Sequence, residues 1–247
     1  MKDNFSHNPS GYATFRPSYP DALIQKIRSL VLTKTDAVWD VGTGNGQVAM
    51  KLTDYFGHIE ATDISQAQLN SANKHPNIRY SAQPAEKTDF SDNQFDLIII
   101  GQAIHWFDFD RFYQEVYRVS KNKALVAVIG YDLIRINPQM DKVIEQLYSG
   151  ILKDYWDPER KYIDEAYKTI PFPFEEIASP DFVHNVDWSL EHLLGFLNSW
   201  SAVAHYKKDQ NINPVEIIRK DLKNAWGNLS SRSVTFPIIS RLGYVLK

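Results

Sequence analysis

The stretch VWDVGTGNGQVAM, residues 38–50, decides how this chain is read. It begins as a short apolar run ending in Asp40 and Val41, the pattern of a strand buried on both faces. Gly42, Gly44 and Gly46 follow on alternate positions. Glycines there let the chain turn sharply and bring backbone N–H groups close to a ligand with no Cβ in the way. GQVAMKLTDYF (46–56) then has the composition of a helix, whose N-terminus would point at the same ligand. Strand, glycine turn and helix together form a cradle, and nucleotides, dinucleotides and sulfonium cofactors are all held in this way.

The surrounding sequence extends the pattern. DALIQKIRSLVL (21–32) carries Leu23, Ile24, Ile27, Leu30 and Val31 at helical spacing behind Pro20 and Asp21. HIEATDI (58–64) reads as a second strand, SQAQLNSANK (65–74) as a serine-capped helix and NIRYSAQ (77–83) as a third strand. FDLIIIG (95–101) is continuously apolar, as a central strand covered on both faces would be. DRFYQEVYRVSK (110–121) is an amphipathic helix, and ALVAVIGY (124–131) a fifth strand. Strands alternating with helices at this spacing predict a doubly wound, mostly parallel α/β sheet with right-handed crossovers.

After residue 131 the alternation stops. The segments 138–150, 191–206 and 214–226 read as helices, with a proline- and aromatic-rich stretch between the first two. DFVHNVDW (181–188) reads as a returning strand, and 233–247 as two antiparallel segments around a glycine. The organisation expected is one domain over 1–247: a core at 20–131, a mainly helical insertion or cap at 132–230, and terminal strands at 233–247.

Composition narrows the function. A formal net charge of −3 lacks the basic footprint of a nucleic-acid binder. The absence of cysteine removes disulfides, thiolate metal ligands and a thiol nucleophile. No apolar run reaches the roughly 20 residues of a membrane span, and MKDNFSHNPSGYATF has no signal-peptide core, so a cytoplasmic protein is expected. His7, His58, His75, His184, His192 and His205 show no helical pairing or accompanying carboxylates, so no metal site is expected. Aromatic residues make up 13% of the chain and include six tryptophans, which fits either a core or an aromatic-lined pocket.

Asp63, at the end of the second strand and about 20 residues past the glycines, stands where an acid accepts hydrogen bonds from ribose hydroxyls. The glycine spacing is G-x-G-x-G rather than the dinucleotide pattern G-x-G-x-x-G. Asp40 would repel a pyrophosphate but suits the α-amino group of a sulfonium cofactor. S-adenosylmethionine is therefore favoured over a nicotinamide dinucleotide.

The run VWDVGTGNGQVA…ATDIS…AQPAEKTDF…FDLIIIGQAIHWFD resembles class I S-adenosylmethionine-dependent methyltransferases of the type 11 group. YATFRPSYP, QAIHWFD, YWDPERKYIDEAY and LNSWSAVAHY further resemble the trans-aconitate methyltransferase-like branch. The resemblance implies a seven-stranded Rossmann-like methyltransferase fold with a helical cap and S-adenosyl-L-methionine as cofactor. It places Asp40, Gly42 and Gly44 at the cofactor's amino-acid end, Asp63 on the ribose, Ile64 on the adenine face, and Ala85 and Glu86 at the adenine edge. Gln102 and Ala103 would line the methionine moiety. Tyr12 and Arg16, in YATFRP ahead of the first helix, stand in a segment that can fold over the cofactor, where Arg16 would pair with the methionine carboxylate or with an acidic substrate, a solvated turn before Pro17 being the alternative.

His105 in AIHWFD is the candidate catalytic residue, able to take a proton or to orient an acceptor; a purely structural role is the alternative. Trp106, Tyr155, Trp156, Arg160, Trp200 and Tyr206 are candidates for the acceptor pocket, and core packing explains each of them as well. The function expected is methyl transfer to a small molecule, with O-methylation of a small carboxylic acid in front. A phenolic, quinone-like or lipid acceptor, or a non-catalytic cofactor-binding protein, are the alternatives. A nicotinamide dehydrogenase rests on fold analogy alone.

Overall fold

The computed structural model describes residues 15–33, 36–179 and 181–247. Helix α1 (Asp21–Leu30) precedes the sheet, burying Leu23, Ile24 and Ile27. Then come β1 (Ala37–Val41), α2 (Gln47–Leu52), β2 (His58–Asp63), α3 (Gln66–Ser71), β3 (Ile78–Ala82), β4 (Phe95–Gly101), α4 (Phe109–Val119) and β5 (Ser120–Tyr131). Neighbouring strands among β1–β5 pair in parallel. A short turn of helix, Ile104–Trp106, fills the space between β4 and α4.

Beyond β5 lie α5 (Pro138–Glu145), α6 (Lys161–Asp164), β6 (Glu175–Ile177), β7 (Phe182–Trp188), α7 (Leu190–Asn198), α8 (Ser201–Gln210), α9 (Pro214–Trp226) and β8 (Arg232–Tyr244). The sheet order is β3-β2-β1-β4-β5-β8-β6, with β7 paired to β8. This is the mostly parallel, doubly wound arrangement expected. Seven strands form the continuous path, and β7 is an eighth beside it.

Three details differ from the sequence reading. The stretch read as two segments around a glycine (233–247) is instead one long strand, β8, which ends at Tyr244. Gly243 lies inside β8 because a Cβ there would stand 2.8 Å from Phe172 Cε1 and 3.1 Å from the Glu175 carbonyl oxygen. Close packing, not a turn, explains that glycine. The expected helix 191–206 is broken, with Trp200 extended between α7 and α8 (φ −71°, ψ 137°). The third difference is β6, in the proline-rich stretch where no strand was expected; it pairs Glu175–Ile177 with Leu242–Tyr244.

The sheet separates two cores. β4 feeds both, with Leu97 and Ile99 on the side of α1, α2 and the C-terminal helices, and Ile98 and Ile100 on the side of α4. All four are fully buried, which is the physical reason that FDLIIIG has no polar alternation. Among the described residues no helix is long and apolar enough to cross a membrane.

Candidate active site

The order β3-β2-β1-β4-β5 reverses direction between β1 and β4, and open α/β sheets bind ligands at the carboxyl ends of strands at such a point. Both loops that leave these strands are built to lie close together. Gly42, Gly44 and Gly46 all have positive φ (65°, 57° and 80°), the left-handed region in which a side chain is strained. A Cβ on Gly42 would approach Ala103 Cβ to 2.7 Å, so this glycine lets the β1 loop pack on the β4 loop. One on Gly46 would meet the Tyr80 hydroxyl at 2.2 Å. At Gly44 the nearest atom among the described residues, Gln68 Oε1, is 4.0 Å away, so none of them crowds the backbone there.

Two carboxylates organise this turn. Asp63 Oδ2 accepts from the Gly44 N–H (2.9 Å) and Oδ1 from the Ser65 N–H (2.8 Å). The acid that ends β2 therefore fixes the glycine loop. Asp40 is buried. Its Oδ2 accepts from the Thr43 hydroxyl (2.5 Å), while Oδ1 has no hydrogen-bond partner of standard geometry. Burial pushes the Asp40 carboxyl up to about 7; the Thr43 hydroxyl and the Ala49 backbone amide oppose that shift, and nearby Asp63 adds to it. Tyr80, beside it, is raised to about 12 by burial and by the negative charge of Asp40.

The other cofactor candidates follow β2 and β3. Ile64 is half-buried after β2 and Ala85 is buried. Glu86 Oε1 accepts from the Asp108 N–H (3.1 Å), joining the loop after β3 to the start of α4. Asp108 in turn caps α4 by accepting from the Arg111 N–H. Tyr12 lies outside the described residues.

Gln102 connects the cradle to a second space. Its backbone is left-handed (φ 55°), and its side-chain amide pairs with the main chain of Tyr131: the Tyr131 N–H donates to Oε1 (2.7 Å), and Nε2 donates to the Tyr131 carbonyl (3.3 Å). Gly130 makes room, since a Cβ there would lie 2.6 Å from Gln102 Oε1. Gln102 then lines a cavity of about 40 Å³ together with Arg16, His105, Trp106, Trp156, Arg160 and Trp200. Seven residues singled out from separate stretches of sequence thus meet at one cavity.

The cations on its wall are held by aromatic rings and hydroxyls. Arg16 donates to the Tyr131 hydroxyl (2.8 Å) and to the Ser199 hydroxyl (3.1 Å) and carbonyl (3.2 Å). The break between α7 and α8 therefore supplies the two Ser199 acceptors, and β5 the Tyr131 hydroxyl. The Arg160 guanidinium lies over Trp156 (4.9 Å) and Tyr148 (5.1 Å), and its Nε donates to the Tyr148 hydroxyl (2.7 Å). Tyr148 donates onward to Asp164, whose Oδ1 is 3.4 Å from Arg160 Nε. Neither terminal nitrogen of Arg160 donates to a described residue.

His105 is nearly buried, its ring 4.7 Å from that of Trp106. Burial first, and the Arg160 charge second, push its imidazole down to about 3, so it is neutral at physiological pH.

Two candidates are not brought to the cavity. Tyr155 and Tyr206 pack on each other (4.8 Å between centroids), and the Tyr155 hydroxyl donates to Asp209. Sequence reasoning did not single out three further residues of the wall, Asp157, Ile163 and Ser201, or Tyr167, whose hydroxyl meets His105. Asp157, Ile163 and Tyr167 lie within the quoted stretch YWDPERKYIDEAY and Ser201 within LNSWSAVAHY, but nothing in those stretches marked them individually.

The family model described as a methyltransferase domain matches residues 39–128, the segment from β1 into β5. A Dictyostelium discoideum protein described as a methyltransferase is 32% identical over 243 residues, covering 96% of this chain and 92% of its own. A Saccharomyces cerevisiae protein described as an S-adenosylmethionine-dependent methyltransferase is 27% identical over 179 residues, covering 68% of this chain and 59% of its own. Among solved structures, one described as a type II methyltransferase from Anaeromyxobacter dehalogenans is 36% identical with a TM-score of 0.87, covering 94% of this chain and 99% of its own. The fold also matches, with a TM-score of 0.51 at 17% identity, a Haemonchus contortus phosphoethanolamine N-methyltransferase 2 in complex with S-adenosyl-L-methionine, covering 98% of this chain and 57% of that one. With its glycine cradle at the β1–β4 switch point and this likeness along nearly its whole length, the chain belongs to the class I S-adenosylmethionine-dependent methyltransferases.

Proposed function

We propose that this methyltransferase esterifies the carboxylate of a small organic acid, as the resemblance to the trans-aconitate methyltransferase-like branch implies. The observation that carries this reading is Arg160, whose two terminal nitrogens donate to none of the described residues, at the wall of a cavity shared with Arg16 and His105. A guanidinium held by stacking and by Nε alone can offer its remaining N–H groups to an oxyanion.

The cradle fits the cofactor. Asp40 Oδ1, buried without a good partner, suits an α-ammonium group, and the backbone at Gly44, uncrowded by any described residue, suits close approach. Asp63, which ends β2 beside the Gly44 turn, would accept from the ribose hydroxyls, with Ile64, Ala85 and Glu86 around the adenine. S-adenosylmethionine supplies a methyl group on a sulfonium that is already a good leaving group. The protein's own work is alignment and exclusion of water. Gln102 and Ala103 would hold the methyl-bearing end, and Arg16, Arg160 and the indoles of Trp106, Trp156 and Trp200 would fix the acceptor. A carboxylate is ionised at pH 7, so no proton has to be removed, in keeping with a histidine as weakly basic as His105. The helices after β5 act in this reading as a cap.

The test is mass-spectrometric detection of methyl transfer from S-adenosylmethionine to a panel of small di- and tricarboxylates, set beside phenols and hydroquinones. Methyl esters formed by the wild type, and at least 10-fold less by Arg160→Met, support the reading. Methylation of the phenolic set alone transfers the assignment to a protonated acceptor, for which the flat indole walls would be the supporting feature.

A further inference from the structure

Tyr167 is fully buried against His105 and is not among the residues lining the cavity, with its hydroxyl oxygen 3.3 Å from Nδ1 and the two rings near parallel at 25°. The backbone that delivers it is unusual. Ala166 and Tyr167 both have positive φ, 52° and 58°, two consecutive non-glycine residues in the left-handed region. Such strain persists only where the surroundings enforce it. Here the Tyr167 N–H donates to the Tyr162 carbonyl (2.7 Å), and Arg241 Nη1 donates to the carbonyls of Tyr167 (3.1 Å) and Ile170 (2.9 Å). Arg241 is itself gripped by a two-point pair with Glu176 (2.8 Å each) and lies over Phe172 (4.5 Å). On the other side Gly130 leaves the ring its space, since a Cβ there would fall 2.9 Å from Tyr167 Cε2. Strand β8, the 166–170 turn and β5 thus converge on one phenol.

We infer that Tyr167 is a positioning residue that locks His105 in the tautomer with its proton on Nε2, so that His105 donates a hydrogen bond to the methyl acceptor and is not a general base. A phenol is a far better donor than a neutral imidazole nitrogen is, and that nitrogen is the better acceptor, so the Tyr167 hydroxyl donates to Nδ1. A neutral imidazole with Nδ1 as acceptor carries its hydrogen on Nε2. Nε2 makes no hydrogen bond to a described residue, and His105 lines the cavity.

The groups facing His105 agree with this polarity. Arg160 from the 158–160 turn and Arg16 from ahead of α1 bring positive charge, Asp157 is the acid on the same wall, and Trp106 and Tyr167 complete the surroundings. With the Arg160 terminal nitrogens and the His105 Nε2–H as donors and the positive charge of Arg16 beside them, the cavity is matched to a substrate oxygen that arrives without a proton. This last consequence rests on the carboxylate reading above; the tautomer itself does not.

The tautomer is read directly by long-range 1H–15N NMR on the full-length protein labelled with 15N-histidine, with His105→Gln used to assign the signal. The result expected is a protonated Nε2 and a bare Nδ1 from pH 5 to 8, becoming mixed or inverted in Tyr167→Phe. A proton on Nδ1 in the wild type, or no change in Tyr167→Phe, overturns the inference whether or not any acceptor is known. For the acceptor found above, His105→Gln keeps an N–H donor but cannot take a proton, and should retain kcat within about 10-fold. Tyr167→Phe should raise KM more than it lowers kcat. A fall of about 100-fold or more in kcat for His105→Gln, with S-adenosylhomocysteine binding intact, would restore His105 as a general base.

Discussion

Asp63 and Gly44 are joined by a hydrogen bond, 2.9 Å from the glycine N–H to Oδ2, that ties the end of β2 to the turn after β1. The carboxylate that the cofactor reading assigns to ribose recognition also shapes the loop carrying the glycines. Replacing it should therefore affect ligand binding by two routes. Calorimetric titration with S-adenosylhomocysteine should show Asp63→Ala weakened by about 100-fold or more, equivalent to ~2.7 kcal/mol. Asp63→Asn, which keeps one acceptor oxygen, should fall between the two. Affinity in Asp63→Ala within twofold of the wild type would remove Asp63 from the ribose site.

Gly42 and Gly44 separate packing from ligand access. Gly42→Ala meets both a left-handed φ and the Ala103 Cβ at 2.7 Å, and should cost about 1–3 kcal/mol of stability, with Ala103→Gly restoring part of it. Gly44→Ala meets only the φ strain, roughly 1–2 kcal/mol, because none of the described residues crowds its Cβ. Cofactor affinity should nevertheless fall more in Gly44→Ala than its melting shift suggests. Chemical denaturation beside calorimetry checks both, and equal affinity in Gly44→Ala and wild type would mean that the cofactor does not approach that turn.

Asp40 gives the cradle a pH dependence of definite sign. Its folded-state pKa, about 7, lies above the ordinary 3.8, so the folded protein holds this proton more tightly than the unfolded chain does. The contribution of Asp40 to stability is therefore lost as pH rises from about 4 to about 7 and is level above that. A cationic α-ammonium prefers the ionised carboxylate. S-adenosylhomocysteine affinity should thus rise about tenfold per pH unit up to about 7, with proton release on binding. Titration in two buffers of different ionisation heat measures that release, and Asp40→Asn should abolish it. A pH-independent affinity in the wild type would place the ammonium elsewhere.

Arg160 should separate acceptor binding from folding. Arg160→Met keeps an apolar stem against Trp156 and Tyr148, so the loss of stability should stay near 1 kcal/mol. KM for a carboxylate acceptor should rise at least 10-fold with kcat less affected, and Arg160→Lys should not restore it, because a lysine neither stacks nor offers two parallel N–H groups. Full rescue by lysine in steady-state kinetics would show that charge alone is used.

Much of this molecule was legible in local sequence because local rules wrote it. The β1 turn, the acid after β2 and the unbroken FDLIIIG run each follow from backbone sterics or from two-sided burial, which act over a few residues. The glycine at 243 shows where such rules stop: a turn and a close contact both call for glycine, and only the position of Phe172 against β8 distinguishes them. The break at Trp200 is of the same kind, since it sits next to Ser199, which accepts from Arg16, 183 residues earlier in the sequence.

By itself, then, the sequence determined the parallel core, the cradle and the chemical class of the cofactor, because each rests on periodicity or on a conformation that particular residue types allow. The tertiary structure alone decided which aromatic and basic side chains share a cavity. It gathered Arg16, His105, Trp106, Trp156, Arg160 and Trp200, sent Tyr155 and Tyr206 elsewhere, and set Tyr167 against His105. Those outcomes depend on contacts between segments far apart in the chain, and no local propensity encodes a distance of that kind.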